Sequence, residues 1–289
     1  MLFSGLKQKI DLSKRYTEKI KNSIRISDNN DTNINELNNL KVAIHFHIFY
    51  IDLLEEIYNH LKSIKTQFTL FITVISKEDE EYVSHYFNIN EHFYELKILL
   101  VENRGRDIYP FYLGLHECYK EYDIIAHLHT KKSKHCSFGD YWRKYLYNNL
   151  LGKNHLFDNV INLFNDNKTL GFVTTPICSN KKLIDSYYFF KDNRADYKEN
   201  IAYALDIFNV SKDLLYATKE NMDFPCGNMF IARSDAIRQF FEKRLTRENF
   251  PDEKGQLDGT LQHFVELIWK YIVVSNNYEY KEIISIDKF

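Results

Sequence analysis

The sequence LKILLVENRGRDIYPF, residues 96–111, joins an apolar run to a polar turn and then to a proline. The run 96–101 predicts a strand, and Pro110 is typical of the first turn of a helix. Between them, residues 102–107 place two arginines, a glycine and a carboxylate at the carboxyl end of the strand. Open α/β sheets bind ligands at the carboxyl ends of their strands, so this stretch indicates both a fold class and a binding site.

Outward from this stretch, apolar runs and amphipathic segments alternate along the chain. Strands are predicted at 42–50, 69–75, 96–101, 122–129, 170–175 and 227–233. Helices are predicted at 51–64, 78–87, 110–121, 138–151, 155–165, from Ser234 onward and around His263. This alternation predicts an α/β fold with a mostly parallel, doubly wound sheet.

Composition limits the class of protein. The 289 residues, 44% of them hydrophobic, are enough for one large domain or two small ones with full cores. A formal charge of -2 gives no overall attraction to nucleic acid, and we expect no nucleic-acid partner. The four cysteines form no C-x-x-C pair, and no apolar run approaches the roughly 18 residues of a spanning helix. We therefore expect a cytoplasmic protein.

The N-terminal segment differs from the rest. Residues 2–26 combine apolar residues at approximately helical spacing with many lysines and arginines, and residues 27–36 form a polar linker. A basic helix of this kind could lie on a membrane surface or pack on the domain. Interruption of the apolar face at Ser13 and Thr17 favours packing. We divide the chain into a basic helix and linker, 1–39, and a single domain, 40–289.

The polar turn after the strand 96–101 contains the first candidate site residues, Asn103, Arg104, Gly105, Arg106 and Asp107. Glycine permits a tight bend with close backbone approach to a ligand, and arginine pairs with phosphate through its planar fork. Asp107 could accept hydrogen bonds from a ribose or a base, or it could cap the helix that follows. Two arginines around one glycine favour a nucleotide-binding turn.

A second polar cluster follows the strand 122–129. His127 and His129 are two residues apart and point to one face of the strand, and Lys131 and Lys132 come directly after it. Near a pyrophosphate, these lysines would offset negative charge as a divalent metal does elsewhere.

A second His-x-His pair, His45 and His47, ends the first strand of the domain. Two such pairs could indicate a metal-dependent hydrolase. That alternative needs carboxylate or histidine ligands at later strand ends, and none completes a tetrahedral set. The pattern favours His45 and His47 as pocket-lining or core residues.

Two later segments could complete the site. In the loop 224–230, Gly227 leaves room for a sugar and Asn228 could bind its hydroxyl groups, although a tight turn into a buried strand explains the same residues. In the loop 253–260, Glu253 and Asp258 are the carboxylates best placed for a general base. Asp258 could instead cap the following helix.

Five blocks in this order resemble the rhamnan synthesis F family of bacterial polysaccharide glycosyltransferases: VENRGRDIYPF, IIAHLHTKKS, GDYWRKYL, FPCGNMFIARSDAI and EKGQLDGTLQH. The resemblance covers roughly residues 41–270. It implies a GT-A-like nucleotide-sugar fold for the domain 40–289 and a hexosyltransferase activity. The implied donor is a nucleotide sugar such as dTDP-L-rhamnose, and the implied acceptor is a cell-surface polysaccharide or lipid-linked glycan.

The resemblance also implies roles for individual residues. Asn103, Arg106 and Asp107 would hold the nucleotide, and the segment His127–Lys131 would stand where many GT-A enzymes have a metal-binding Asp-x-Asp motif. This substitution leads to the hypothesis of a metal-independent transfer, with no cofactor firmly implied. Glu253 or Asp258 would deprotonate the acceptor for in-line displacement with inversion. A peripheral contact with the inner membrane and a non-catalytic carbohydrate-binding module remain open at this point.

Overall fold

The computed structural model describes residues 23–27, 40–89, 95–132, 138–176, 197–217, 224–255 and 259–286. These parts form one sheet of eight strands: β1 Ile24–Ile26, β2 Val42–Ile48, β3 Phe68–Val74, β4 Glu95–Leu100, β5 Ile124–His129, β6 Leu170–Thr174, β7 Phe230–Arg233 and β8 Glu279–Ser285. The α-helices of the same parts are α1 Leu54–Leu61, α2 Lys77–Ile89, α3 Ile108–Leu115, α4 Gly139–Leu150, α5 Leu156–Asp166, α6 Tyr197–Ile207, α7 Asp213–Ala217, α8 Arg238–Glu242 and α9 Leu261–Ser275.

The strand order is β1-β8-β6-β7-β5-β2-β3-β4. β7 is antiparallel to both of its neighbours, and the other pairs are parallel. From β2 the chain winds outward through β3 and β4, and then crosses to the other side of β2 to form β5. This reversal is a topological switch point, where the carboxyl ends of neighbouring strands leave a crevice for a ligand.

The two faces of the sheet differ at its centre. Side chains alternate along β2, so Ile44 and Phe46 lie on one face while His45 and His47 lie on the other. The face with Ile44 and Phe46 packs against α1, α2, α4 and α5 through apolar side chains. The other face packs against α3, α6, α8 and α9, and Phe111 of α3 stacks on His127 with ring centroids 4.2 Å apart. The buried histidines therefore lie between the sheet and α3.

The mostly parallel α/β sheet predicted from the sequence is confirmed, with β2 to β7 near the predicted positions. The helix predicted at 110–121 begins earlier, at Ile108, and ends at Leu115. The helix predicted from Ser234 onward is only a 3-10 turn followed by the short helix α8, Arg238–Glu242. The Ser234 hydroxyl makes no capping hydrogen bond and donates to Tyr122 O (2.5 Å).

Two strands at the far edge were not predicted. β1 lies inside the segment 2–26, which was predicted to be helical, and β8 follows α9. Ile24–Ile26 pair in parallel with the edge of β8, and this tertiary pairing overrides local helical spacing. The rest of the basic segment and most of the linker lie outside the described residues. No helix in the described ranges has the length and apolar character needed to cross a membrane.

Candidate functional site

The polar turn between β4 and α3 has a fixed, left-handed backbone. Gly105 has a φ of 67° and Arg106 a φ of 51°. A Cβ atom at position 105 would lie 2.6 Å from Tyr109 Cβ and 2.8 Å from a ring carbon of Phe250, so glycine is required there. The Gly105 carbonyl accepts hydrogen bonds from the amides of Ile108 (3.1 Å) and Tyr109 (3.2 Å), which start α3. The turn consequently directs residue 107 back into the sheet.

The two arginines of the turn have different surroundings. The Arg104 guanidinium donates to Phe250 O and pairs with Asp252, and its Nε lies 3.4 Å from Glu102. It thereby braces the turn against the segment 250–252, with its side chain 11% exposed. Arg106 is half-buried, and its charge acts on Lys131 across the site. Asn103, the first predicted residue of the turn, is exposed.

Asp107 is buried, with 6% of its surface exposed, and it makes no capping hydrogen bond to α3. Its Oδ2 accepts from Asn228 Nδ2 (2.5 Å) and lies 3.1 Å from His127 Nε2 and 3.9 Å from His129 Nε2. Burial alone would raise the pKa of Asp107, but His129, His127 and Asn228 outweigh it and hold the pKa well below its usual range. Asp107 is therefore an ionised carboxylate beneath the switch point.

A chain of buried polar side chains leads away from Asp107, and we call it the histidine chain: His127, His45, Thr73 and His47. The parallel register of β2 and β5 sets His45 beside His127, and β3 contributes Thr73. His127 Nδ1 lies 3.1 Å from His45 Nδ1, and Thr73 Oγ1 lies 3.1 Å from His45 Nε2 and 3.0 Å from His47 Nδ1. His127 and His45 have no exposed surface, so they lie under the site and not on its wall.

The hydrogen-bond partners assign the tautomers of the histidine chain. His127 donates from Nε2 to Asp107, so its Nδ1 accepts from Nδ1 of His45. His45 Nε2 then accepts from the Thr73 hydroxyl, whose oxygen accepts from His47 Nδ1. Burial lowers the pKa values of His45 and His127 and lowers that of His47 to about 4, which favours three neutral rings. Each bond then has one donor and one acceptor, and all point toward Asp107.

The turn before β7 closes the site from the other side of β5. Gly227 and Asn228 both have positive φ angles, 66° and 55°. The Gly227 carbonyl accepts from His129 Nε2 (2.9 Å), and Asn228 Oδ1 accepts from Trp269 Nε1 (2.9 Å). Since Asn228 also donates to Asp107, its amide is held at both ends.

The two predicted lysines face different surroundings. The Lys131 ammonium lies over the Trp142 ring, 4.1 Å from its centroid. Burial lowers the pKa of Lys131, while Glu266 and Asp107 act in the opposite direction. Lys132 pairs with Asp52 and lies 5.1 Å from the centroid of the Tyr50 ring. Lys131 thus faces the interior of the site and Lys132 faces the segment after β2.

One of the two candidate bases, Glu253, contacts the polar turn from the segment after Asp252. Glu253 Oε1 accepts from the Arg106 backbone amide (3.2 Å) and from Gln262 Nε2 (3.2 Å). The other candidate, Asp258, lies outside the described residues. Within the parts that the structure describes, Gln262 Oε1 is buried with no hydrogen-bond partner.

Several residues of the site were not predicted from the sequence: Thr73, Trp142, Gln262 and Trp269. Thr73 is the one with a signal, because it has the same alternation phase on β3 as the histidines on β2. In the described part of the chain, no group of three or more His, Cys, Asp or Glu residues is arranged to hold a metal. His45 and His47 instead belong to the histidine chain.

The fold and the site define the class: an open α/β protein with charged side chains at the topological switch point of its sheet. The family model described as rhamnan synthesis protein F matches residues 12–278, and the chain belongs to this family. The family resemblance seen in the sequence is thereby confirmed. Membership implies a role in the synthesis of rhamnan or a related polysaccharide.

Two curated relatives are similar to this chain. Both are named "Uncharacterized protein WxcX" and come from Xanthomonas campestris pv. campestris, strains B100 and ATCC 33913. Each is 30% identical over 224 residues, which is 76% of this chain and 29% of the relative. The chain therefore spans less than a third of the length of these relatives.

Proposed function

We propose that this chain is a GT-A-like glycosyltransferase domain that adds a sugar to a growing bacterial cell-surface polysaccharide. The proposed donor is a nucleotide sugar, with dTDP-L-rhamnose as the first candidate. The proposed place of action is the cytoplasmic face of the inner membrane. The observation that supports the proposal is that the charges of Arg106 and Asp107 both act on Lys131, so that two basic side chains accompany the ionised Asp107 at the switch point.

The charges of this site suit a leaving nucleoside diphosphate. Negative charge builds up on the diphosphate as the glycosidic bond of the donor breaks, and fixed cations in a buried site stabilise that charge. Arg106 can pair with phosphate through its fork, and the Lys131 ammonium supplies a second positive charge. We propose that these two side chains perform the task that a divalent ion performs at an Asp-x-Asp motif. The transfer would then need no metal.

The acceptor hydroxyl needs a base, and of the two candidates Glu253 is the one within the described residues. Its carboxylate lies 3.2 Å from the Arg106 amide, so it sits beside the proposed diphosphate site. In the proposed reaction, Glu253 or Asp258 takes the hydroxyl proton while the hydroxyl oxygen attacks the anomeric carbon and the nucleoside diphosphate leaves. In-line displacement of this kind inverts the anomeric carbon.

A thermal-shift screen of nucleotide sugars, with and without EDTA, tests the function. A ligand that binds only the folded state raises the melting temperature. We expect selective stabilisation by a dTDP-sugar that survives EDTA. No response to any nucleotide, with a large drop in melting temperature on adding EDTA, would favour the metal-dependent hydrolase. Stabilisation by free sugars without nucleotide preference would favour a carbohydrate-binding module.

Turnover distinguishes the two candidate bases. We expect Glu253→Gln to keep the affinity for the nucleotide and to lower kcat at least a hundredfold, because general base catalysis contributes about 10²–10⁴-fold. Asp258→Asn serves as the matched variant. If Glu253→Gln retains full turnover and Asp258→Asn does not, the base is Asp258.

A further inference from the structure

Arg143 of α4 binds the backbone of the segment that carries Lys131. Its Nη1 donates to the Lys131 carbonyl (3.1 Å) and to Asp140 Oδ1 (2.6 Å). Its Nε and Nη2 contact the carboxylate of Glu56 on α1, with distances of 3.0–3.3 Å. The Arg143 side chain is only 4% exposed. One guanidinium thus joins α4, α1 and the segment after β5.

The same helix also positions the Lys131 side chain. Trp142, the neighbour of Arg143, presents its ring to the Lys131 ammonium, and its indole N–H donates to Cys226 Sγ (3.2 Å). α4 therefore fixes the Lys131 carbonyl through Arg143 and gives the ammonium a surface through Trp142. These two contacts together hold the backbone and the ammonium of Lys131 against α4.

The residue before Lys131 is held separately. Thr130 Oγ1 accepts from the amides of Phe49 (2.8 Å) and Tyr50 (3.0 Å), and the Thr130 amide donates to His47 O (3.0 Å). These bonds attach Thr130 to the chain after β2. The bond from Arg143 fixes the carbonyl on the other side of the Lys131 Cα atom.

We propose that Arg143 is a positioning residue that sets Lys131 against the diphosphate of the donor. This inference rests on the proposed function, because it takes Lys131 as a diphosphate ligand. Its physical basis is the planar fork of arginine, which binds the Glu56 carboxylate on one side and a backbone carbonyl on the other. Lysine would keep the charge but could not make both contacts in the same geometry.

A double-mutant cycle tests this role. Titration calorimetry with dTDP and with UDP gives the affinity of the wild-type protein, Arg143→Lys, Lys131→Met and the double variant. We expect each single variant to weaken binding about tenfold, the effect of losing or misplacing one charge-assisted contact. If Arg143 acts through Lys131, the double variant binds no more weakly than Lys131→Met alone. Additive losses would show that Arg143 does not act through Lys131.

Arg233 provides the matched control at the opposite edge of the sheet. It is half-buried and donates to the backbone carbonyls of Leu170 (2.9 Å), Asn167 (3.2 Å) and Phe164. We expect Arg233→Lys to lower the melting temperature and to leave nucleotide affinity unchanged. A similar loss of affinity in Arg233→Lys would mean that reduced stability explains the Arg143 result, and would overturn the inference.

Two further measurements keep the test decisive. If Arg143→Lys does not fold, Glu56→Gln takes its place. This variant removes the charge that binds the Arg143 guanidinium and preserves the shape of the side chain. Unchanged nucleotide affinity in Glu56→Gln would count against the positioning role. Binding of no nucleotide by the wild-type protein would refute the proposed function itself. Wild-type binding with an intact affinity in Arg143→Lys would refute the positioning role alone.

Discussion

Among the described residues, one aspartate is buried near the amino ends of the parallel strands and another near their carboxyl ends. The first, Asp158, fixes local structure, whereas the second, Asp107, belongs to the candidate site. Asp158 lies in the first turn of α5, near the amino end of β3. It accepts from the backbone amides of Lys65 (3.1 Å) and Thr66 (2.8 Å) and from the Thr66 hydroxyl (2.7 Å). These donors belong to one turn, and His155 Nδ1, directly before α5, lies 3.4 Å from Asp158 Oδ2. Asp158 thus attaches that turn to the start of α5.

Asp107, near the carboxyl ends of β2 and β5, binds side chains instead of backbone amides. Its donors, His127 and Asn228, come from β5 and from the turn before β7. Each donor is held in turn by another side chain, His45 or Trp269. A carboxylate that accepts mainly from the backbone amides of one turn fixes local structure. A carboxylate that accepts from side chains of several elements holds those elements together at the site.

Removal of each aspartate should give the largest effects and separate the two roles. We expect Asp107→Ala and Asp158→Ala both to lower the free energy of unfolding, by about 1–3 kcal/mol for each buried donor left without an acceptor. Only Asp107→Ala should also abolish nucleotide binding. Urea denaturation and calorimetry with dTDP measure the two properties. Equal loss of binding in Asp158→Ala would contradict the distinction.

Acid should lower the free energy of unfolding through His47, which lies near the carboxyl end of β2. The pKa of His47 is 6.5 in the unfolded chain and about 4 in the folded protein, so the unfolded state binds the extra proton in this window. The stabilisation is therefore complete above pH 6.5 and falls by about 3 kcal/mol as the pH is lowered to 4. The depressed pKa of Asp107 acts in the same direction at still lower pH.

The variant His47→Asn tests this pH dependence, because an asparagine amide can donate to Thr73 without titrating. We expect urea denaturation between pH 6.5 and 4 to show a shallower decline in this variant than in the wild-type protein. Identical slopes in the two proteins would exclude His47 as the source. His85, an exposed histidine of α2, is the control, and His85→Asn should leave the slope unchanged.

The smallest effect concerns the protonation of Lys131. Burial lowers the pKa of Lys131, and a bound diphosphate would favour the charged ammonium, so nucleotide binding in alkaline solution should take up a fraction of a proton. Calorimetry in two buffers of different ionisation enthalpy measures this uptake. It should vanish in Lys131→Met and persist in Lys212→Met, a surface lysine paired with Asp206. Unchanged uptake in Lys131→Met would assign the proton to another group.

The sequence was sufficient to predict the six strands β2 to β7 and the polar turns at their ends. Residues 103–107 follow β4 and residues 130–132 follow β5, at the carboxyl ends of these parallel strands. The turn at 227–228 enters the antiparallel β7 from the same side, so the topology of the sheet explains why the three segments come together. The depth of each side chain did not follow. His127 and Lys131 belong to one motif, yet His127 is completely buried beneath the site, whereas the Lys131 ammonium lies over the Trp142 ring.

Long-range pairing explains what the sequence could not show. Arg104 and Arg106 look equivalent in the polar turn, and only the approach of the segment 250–252 turns Arg104 into a brace. Arg143 resembles a surface residue of an amphipathic helix until Glu56, 87 positions away, is brought beside it. Such pairs depend on how helices pack across the sheet, and local periodicity carries no information about that packing.

The common direction of the bonds in the histidine chain has an electrical consequence. Aligned donors and acceptors add their dipoles, so a change of charge at one end alters the polarisation of the whole chain. His47, at 5% exposure, is one end of the histidine chain, and His127 at the other end donates to Asp107, which is 6% exposed. A charged ligand bound at either end would therefore change the electrostatic potential at the other end by polarising the hydrogen bonds between them.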